Sequence, residues 1–465
     1  MSELNSLRTE LEPASLEKHA SQDFIENLDQ KKRSSIISDD GDAEHGRKLP
    51  RTGEETVRDA STWTAYVNIV CAVAGSGALG VPHAVEQSGW AGFALLILAH
   101  AMAAYSGVAL IRCLYYKGAE FRLGSYMEVG EHAFGKIGKY LVTFFYFIIL
   151  IGTPTLYLIL AGGNFAQLLS HVGVGLSEKA WTFILAAVMA VPFILTKTMK
   201  EVAVLSIFGV LTTTVTIVIV VVVAIQTQIT DPPANISHER IVPSNLPIAL
   251  ATFAFGYGGN VVYPHIEGTM RKPSHWAATF NISLVTVTIL YLLVGIPSYY
   301  VYGQTTRSPV YNNLPEQAPR TVAVIFITMH VLLATPLYLT SFALEIERIF
   351  KIDRVHRTAK LEFLLRAAVR TVTIVVCAVI AAVVPYFDNV MSLLGAAGQG
   401  AVVFIFPILF YVKLYGWRNI RWYELVWCAL ALLIGLAGAV IGSVDAVKGL
   451  IVAVNGGTPT TSGAH

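Results

Sequence analysis

Residues Gly75 to Gly80 read GSGALG. In form this is the GxGxxG loop that cradles a dinucleotide pyrophosphate, which must follow a strand and open a helix inside a βαβ unit. Here the glycines stand in the middle of one apolar run, Trp63 to Val85. No soluble strand is available, so the dinucleotide reading fails on context. What remains is a membrane span interrupted by Gly75, Ser76, Gly77 and Gly80, then Pro82. A second run, Asn245 to Glu267, is interrupted similarly at Gly256, Gly258, Gly259 and Pro264. In any one span such residues serve close helix packing. Two broken spans in corresponding halves of a chain are instead the sequence mark of a transporter's substrate site.

The composition agrees. The chain of 465 residues is 54% hydrophobic and 14% charged, with a mean hydropathy of +0.58, which a soluble domain of this size does not tolerate on its surface. Cys71, Cys113, Cys377 and Cys428 all fall inside apolar runs, as buried small hydrophobes do, and suggest neither disulfides nor a metal cluster. Residues 1–62 carry 9 Lys+Arg against 14 Asp+Glu. With so few aromatics they cannot bury enough apolar surface to offset ordering entropy, and are expected to be a disordered tail. They contain no apolar signal-peptide core.

Eleven runs are long enough to cross about 30 Å of hydrocarbon: 63–87, 90–115, 138–170, 180–196, 201–227, 245–268, 277–302, 320–344, 366–385, 389–414 and 423–444. With the tail in the cytosol, the linkers 112–139, 197–200, 271–275, 346–370 and 413–421 share its side. They hold 19 Lys+Arg, against 5 on the opposite side, which orients the chain by the positive-inside rule. The short tail 446–465 is then lumenal or extracellular, as is the glycosylation sequon at Asn235. Spans 1–5 and 6–10 overlay, GSGALGVP answering GYGGNVVYP, as an inverted five-helix repeat with an appended eleventh span. Ser125 to Lys139 is amphipathic and is expected to lie at the interface.

A helix broken in the bilayer exposes amide donors at the start of one half and carbonyls at the end of the other, which lipid penalises unless something polar fills the gap. A zwitterion fits: the positive helix start suits a carboxylate and the free carbonyls suit an ammonium. Ionisable residues in spans are functional candidates by default, here His83, Glu86, His265, Glu267, His330, Glu345 and Asp388. Glu86, Glu345 and Asp388 lie near span ends, where solvation is cheap. Glu267 reads either as a proton-carrying gate or as the partner of a cytosolic arginine such as Arg370. His265 adjoins it, and His330 sits mid-span as packing hydrogen-bonder or proton relay.

With these residues in view, the chain resembles the amino acid/auxin permease family, including its fungal vacuolar and animal vesicular members. The motifs are GxGxLGxP from Gly75 to Pro82, KxWxF from Lys179 to Phe183, and PxIEGxMxxP from Pro264 to Pro273. NLP from Asn313 to Pro315, VPxF from Val384 to Phe387 and SLxGAxG from Ser392 to Gly398 complete the set. The resemblance spans residues 63–445. It implies an all-α, leucine transporter-like fold of eleven membrane helices, with helices 1 and 6 broken, and secondary amino acid transport coupled to protons. By the same resemblance Ala74, Gly75, Ser76, Gly77, Gly256, Tyr257, Gly258 and Gly259 hold the substrate backbone, and Tyr157, Thr335 and Tyr338 complete the pocket. Cys71 stands where sodium-coupled relatives often have asparagine, so the proton is favoured over sodium. His83 replaces the aromatic usual after the first-span proline.

The expected function is a proton-coupled amino acid transporter of the vacuolar membrane, with Glu267, His265, His83 and His330 as coupling or gating residues. The alternatives are a plasma-membrane symporter and an amino acid sensor without flux. A channel lacks its filter motif, and an enzyme lacks a nucleophile–base pair or metal cluster. No cofactor and no nucleic-acid partner are expected; the partners are the substrate and the bilayer.

Overall fold

The computed structural model describes residues 58–170, 173–196, 199–352, 356–384 and 386–455. Most of the expected N-terminal tail and residues 456–465 lie outside them. Residues 58–61, placed in the disordered tail by composition, are instead packed: Ala60 bridges Met270, and both Ala60 and Arg58 are buried. At the other end, the last helix runs through to Val454, beyond the boundary expected at 446.

The architecture is helical. Helix α1 (Thr62–Val73) starts on Ser61, whose hydroxyl accepts the Thr64 amide at 3.1 Å, satisfying one of the free donors of a helix start. It stops at Ala74, and the chain resumes as α2 (Gly77–Ser88), bent by 47° from α1. Next come α3 (Ala91–Leu114), α4 (Tyr126–Ser170), α5 (Glu178–Leu195) and α6 (Met199–Thr230). The second broken run follows as α7 (Leu246–Gly256) and α8 (Tyr263–Thr269), separated by six residues without helix. The chain continues through α9 (Trp276–Tyr302), α10 (Ala318–Ile349), α11 (Ala359–Val383) and α12 (Phe387–Leu393). It ends through a π-helix (Leu394–Ile405), α13 (Phe406–Tyr415) and α14 (Trp422–Val454).

The amphipathic stretch 125–139 is set off from the span that follows it. Inside α4 the helix breaks at Phe134 and Gly135, the latter at φ 63°, a left-handed conformation that glycine adopts without cost. The chain folds back so tightly that a Cβ on Gly138 would stand 2.2 Å from the carbonyl oxygen of Gly130.

Among the described residues nine helices are long and apolar enough to cross a membrane, and the bent pair α1–α2 makes ten. The remaining expected span, 245–268, is divided between α7 and α8, of 11 and 7 residues. Helices α1, α2, α3, α7 and α9 pack on one another, and α4, α5, α10 and α11 form a second packed group. Helix α6 joins the two through α1 and α10, while the π-helix and α14 back α7. The outer surface is apolar, with Val372, Val383, Leu433, Leu436 and Ile441 exposed, as a hydrocarbon solvent requires.

Candidate substrate site between two broken helices

The two breaks touch. A Cβ on Gly77 would lie 2.6 Å from the Cα of Gly256, so only glycine lets these backbones approach. The carbonyls left free at the ends of α1 and α7 are then bridged by one side chain: the Tyr291 hydroxyl lies 2.7 Å from the oxygen of Val73 and 2.6 Å from that of Gly256. One proton serves two acceptors, and the second lone pair of each remains available. Tyr338 makes a similar bridge, donating to Ala72 at 2.7 Å with Gly258 at 3.5 Å.

Around Gly75 the side chains come from the second packed group. A Cβ there would stand 2.9 Å from the Tyr157 hydroxyl and 2.6 Å from Nε2 of His330. The rings of Tyr157, His330 and Tyr338 form one edge-to-face cluster, with centroids 6.5 Å and 6.1 Å from Tyr157. His330 is fully buried, and its Nδ1 lies 2.8 Å from the carbonyl of Gly209 on α6. A carbonyl accepts only, so Nδ1 carries the proton and Nε2 is a bare acceptor; it has no hydrogen-bond partner.

The sequence-derived site residues thus converge, with different duties. Ala74, Ser76, Tyr157, Tyr257, Thr335 and Tyr338 are all buried. Thr335 gives its proton to Val331 within α10, at 2.6 Å. Tyr257 turns from the gap into the first group, bonding Thr288 at 2.8 Å. Gly258 faces Gln399 of the π-helix, and Gly259 faces the ring of Tyr263.

The charged candidates lie toward the two ends. Glu267 is completely buried and does not pair with Arg370. Its Oε2 accepts from Arg122 at 2.7 Å, and its Oε1 from Tyr115 at 2.6 Å and Arg58 at 3.3 Å. Arg122 also donates to the carbonyl of Pro264 at 2.6 Å. Arg370 pairs with Glu347 at 2.9 Å and holds the Phe193 carbonyl at 2.6 Å. Nearby, His265 contacts Tyr146 at 3.0 Å and Glu345 at 3.4 Å. Glu345 is therefore a buried pairing residue, where its place near a span end suggested solvation. Arg348 extends this chain of charges to Glu128. At the opposite end His83 lies 3.1 Å from the Thr306 carbonyl and 3.2 Å from Glu86. Asn235 sits in an exposed turn there, on a loop tied to Gln304 beside Thr306. Among the described residues no group of His, Cys, Asp and Glu could hold a metal ion.

Sequence reasoning passed over Tyr291, Arg58, Arg122, Asn260 and Gln399. Arg58 was hidden by the acidic composition around it, and Tyr291 is one of 20 tyrosines in the chain.

Around this geometry the sequence itself matches a known family over most of the chain. The sequence model of the family described as transmembrane amino acid transporter protein matches residues 58–448. The chain belongs to that family. Relatives include the Arabidopsis thaliana amino acid transporter AVT1E, 26% identical over 396 residues, which are 83% of this chain and 72% of the relative. The human vesicular inhibitory amino acid transporter is 26% identical over 412 residues, 84% of this chain and 77% of the relative. Among solved structures, MhsT in complex with L-phenylalanine aligns with a TM-score of 0.53 at 12% identity, covering 82% of this chain and 99% of that one. A sodium-coupled sialic acid symporter aligns with a TM-score of 0.51, also at 12% identity, over 84% and 90% of the two chains. These likenesses establish the leucine transporter-like fold; at such identity they carry nothing about ligand or ion. As a member of a transporter family, the chain is a membrane transporter and not an enzyme.

Proposed function

We propose that this amino acid transporter couples its cargo to protons, through His330, in the vacuolar membrane. The observation that carries the coupling is the bare Nε2 of His330 beside Gly75, where α1 gives way to α2. The start of α2 is the positive end of a helix dipole and attracts the substrate carboxylate. The carbonyls of Val73 and Gly256, each with a lone pair to spare, suit the ammonium. A proton on Nε2 gives His330 a donor and a charge toward the carboxylate; once the site opens to the other side and the proton leaves, that attraction goes with it. Substrate and proton thereby favour one another's binding, which is the requirement for coupling. The other titratable candidates are less suited. Glu267 is held by two guanidinium groups, His265 by Tyr146 and Glu345, and His83 lies at the far end beside Thr306.

Each unit of pH gradient supplies about 1.4 kcal/mol per proton, and 100 mV about 2.3 kcal/mol per charge, enough to concentrate a substrate tenfold or more. An internal membrane is supported by the names of the relatives, one of them vesicular, and the charge bias puts Arg58, Arg122 and Glu267 on the cytosolic side. Asn235 then faces the lumen, accessible to glycan addition.

Uptake of a labelled amino acid panel into proteoliposomes, with and without an imposed pH gradient, tests the reading. Wild type accumulates substrate with the gradient, and equally when sodium is replaced by choline. His330→Gln, which keeps a donor for the Gly209 carbonyl but cannot titrate, loses accumulation while downhill exchange persists. Uphill uptake by that variant would move the coupling site elsewhere. Absence of flux for every amino acid would leave the sensor as the better reading.

A further inference from the structure

The π-helix Leu394–Ile405 presents one polar side chain, Gln399, in the run LGAAGQGAVVFI. Such helices are rare and occur mostly where function demands them. This one is set in place by close contacts of its glycines: Gly395 against the Ala251 carbonyl, Gly398 against Ile149 and Gly400 against Ala439. Gln399 is 1% exposed and is pressed against the second break, its amide atoms 2.3 to 2.7 Å from where a Cβ on Gly258 would be. Its Oε1 accepts no hydrogen bond.

Asn260, two residues along the same break, repeats the pattern. The π-register explains its orientation. Phe406 gives its amide to Ala401, five residues back, but Pro407 has no N–H to give Val402. The Val402 carbonyl is taken by Tyr126 at 2.8 Å and by Nδ2 of Asn260 at 3.3 Å. That bond assigns the amide and leaves Oδ1 of Asn260 buried, also without a partner. Buried acceptors left unpaired are costly and uncommon, and here two stand where the second break meets the π-helix.

We propose that Gln399 and Asn260 are the selectivity end of the substrate site, accepting hydrogen bonds from an uncharged donor on the amino acid side chain, such as an amide or hydroxyl. The inference rests on the transport reading. The facing groups are uncharged side-chain amides, and Glu267, the carboxylate on the same broken run, is already neutralised by Arg58 and Arg122. A cationic side chain would enter without a counter-charge, which burial penalises, and an apolar one would leave both acceptors unpaired.

Competition uptake of glutamine, serine, leucine and lysine by the full chain in proteoliposomes tests this. Wild type prefers glutamine and serine. In Gln399→Met, close in volume and without an acceptor, the ratio of glutamine to leucine uptake falls about tenfold. In Gln399→Glu the ratio of lysine to glutamine rises by a similar factor, a gain that misfolding cannot produce. A wild type that favours leucine overturns the inference, as do variants whose uptake falls equally for all four substrates; in both cases amino acid transport itself stands. No uptake of any substrate by wild type would instead sink the transport reading on which the inference depends.

Discussion

Glu267 shows what one residue's surroundings add to its identity. As a buried carboxylate near a helix break it is open to two readings, proton carrier or ion-pair partner, and nothing in the sequence decides between them. The structure supplies Arg58, Arg122 and Tyr115. Two guanidinium groups and a hydroxyl donor already engage both of its oxygens, so Glu267 acts as a clamp. Glu267→Gln is then expected to leave the pH dependence of uptake unchanged and to cost about 3–5 kcal/mol of stability, the penalty for stranding a buried charge. Thermal unfolding in detergent and a pH profile of uptake check the two halves separately; a flattened profile would restore the proton-carrier role. Arg370 was a reasonable partner by sequence because its linker, 346–370, is assigned to the cytosolic side with the end of Glu267's span. Arg58 was not, since the true contact joins residues 209 positions apart and lies in a segment whose composition argued against order.

At the scale of elements, the two breaks were legible because glycine clusters and a proline inside an apolar run have few other uses. The ends of α1 and α7 fall where those clusters begin, at Val73 and Gly256. The contact between the breaks was not legible, and it ranks the glycines. Gly77 meets the Gly256 backbone, which cannot yield, whereas Gly258 meets the Gln399 side chain, which can rotate. Gly77→Ala should therefore reduce uptake at least tenfold more than Gly258→Ala, with an overpacking cost of about 1–3 kcal/mol. Equal losses would mean that the crossing of the two helices is not what the glycines protect. The π-helix was equally invisible, because SLxGAxG carries the same apolar pattern in either register. What betrays it is Pro407 and the carbonyl it leaves unpaired, a signal meaningful only once the Val402 partners are known.

At the scale of the molecule, the segment preceding α1 ties the first packed group together at one end. Ala60 gives its amide to Thr269 at 2.9 Å and takes the Arg271 amide at 2.9 Å, while Arg58 reaches Glu267 and the Met270 carbonyl. This strap fastens the start of α1 to the end of α8. His265 on α8 contacts Tyr146 of α4 and Glu345 of α10, so the strap sets the position from which α8 meets the second group, and closure at that end depends on it. A chain lacking residues 1–57 keeps Arg58, the Ala60 bridge and the Ser61 cap, and should accumulate substrate against a gradient. Removal through residue 61 deletes Arg58, the Ala60 bridge and the Ser61 cap together. Closure at that end should then fail, so that downhill flux continues while accumulation against a gradient collapses by tenfold or more. Paired measurement of counterflow and gradient-driven uptake in the two truncations separates leak from loss of fold, because an unfolded chain shows neither. Normal accumulation by the shorter chain would show that α1 and α8 close without the strap, and that Arg122 and Tyr115 alone are enough to hold Glu267.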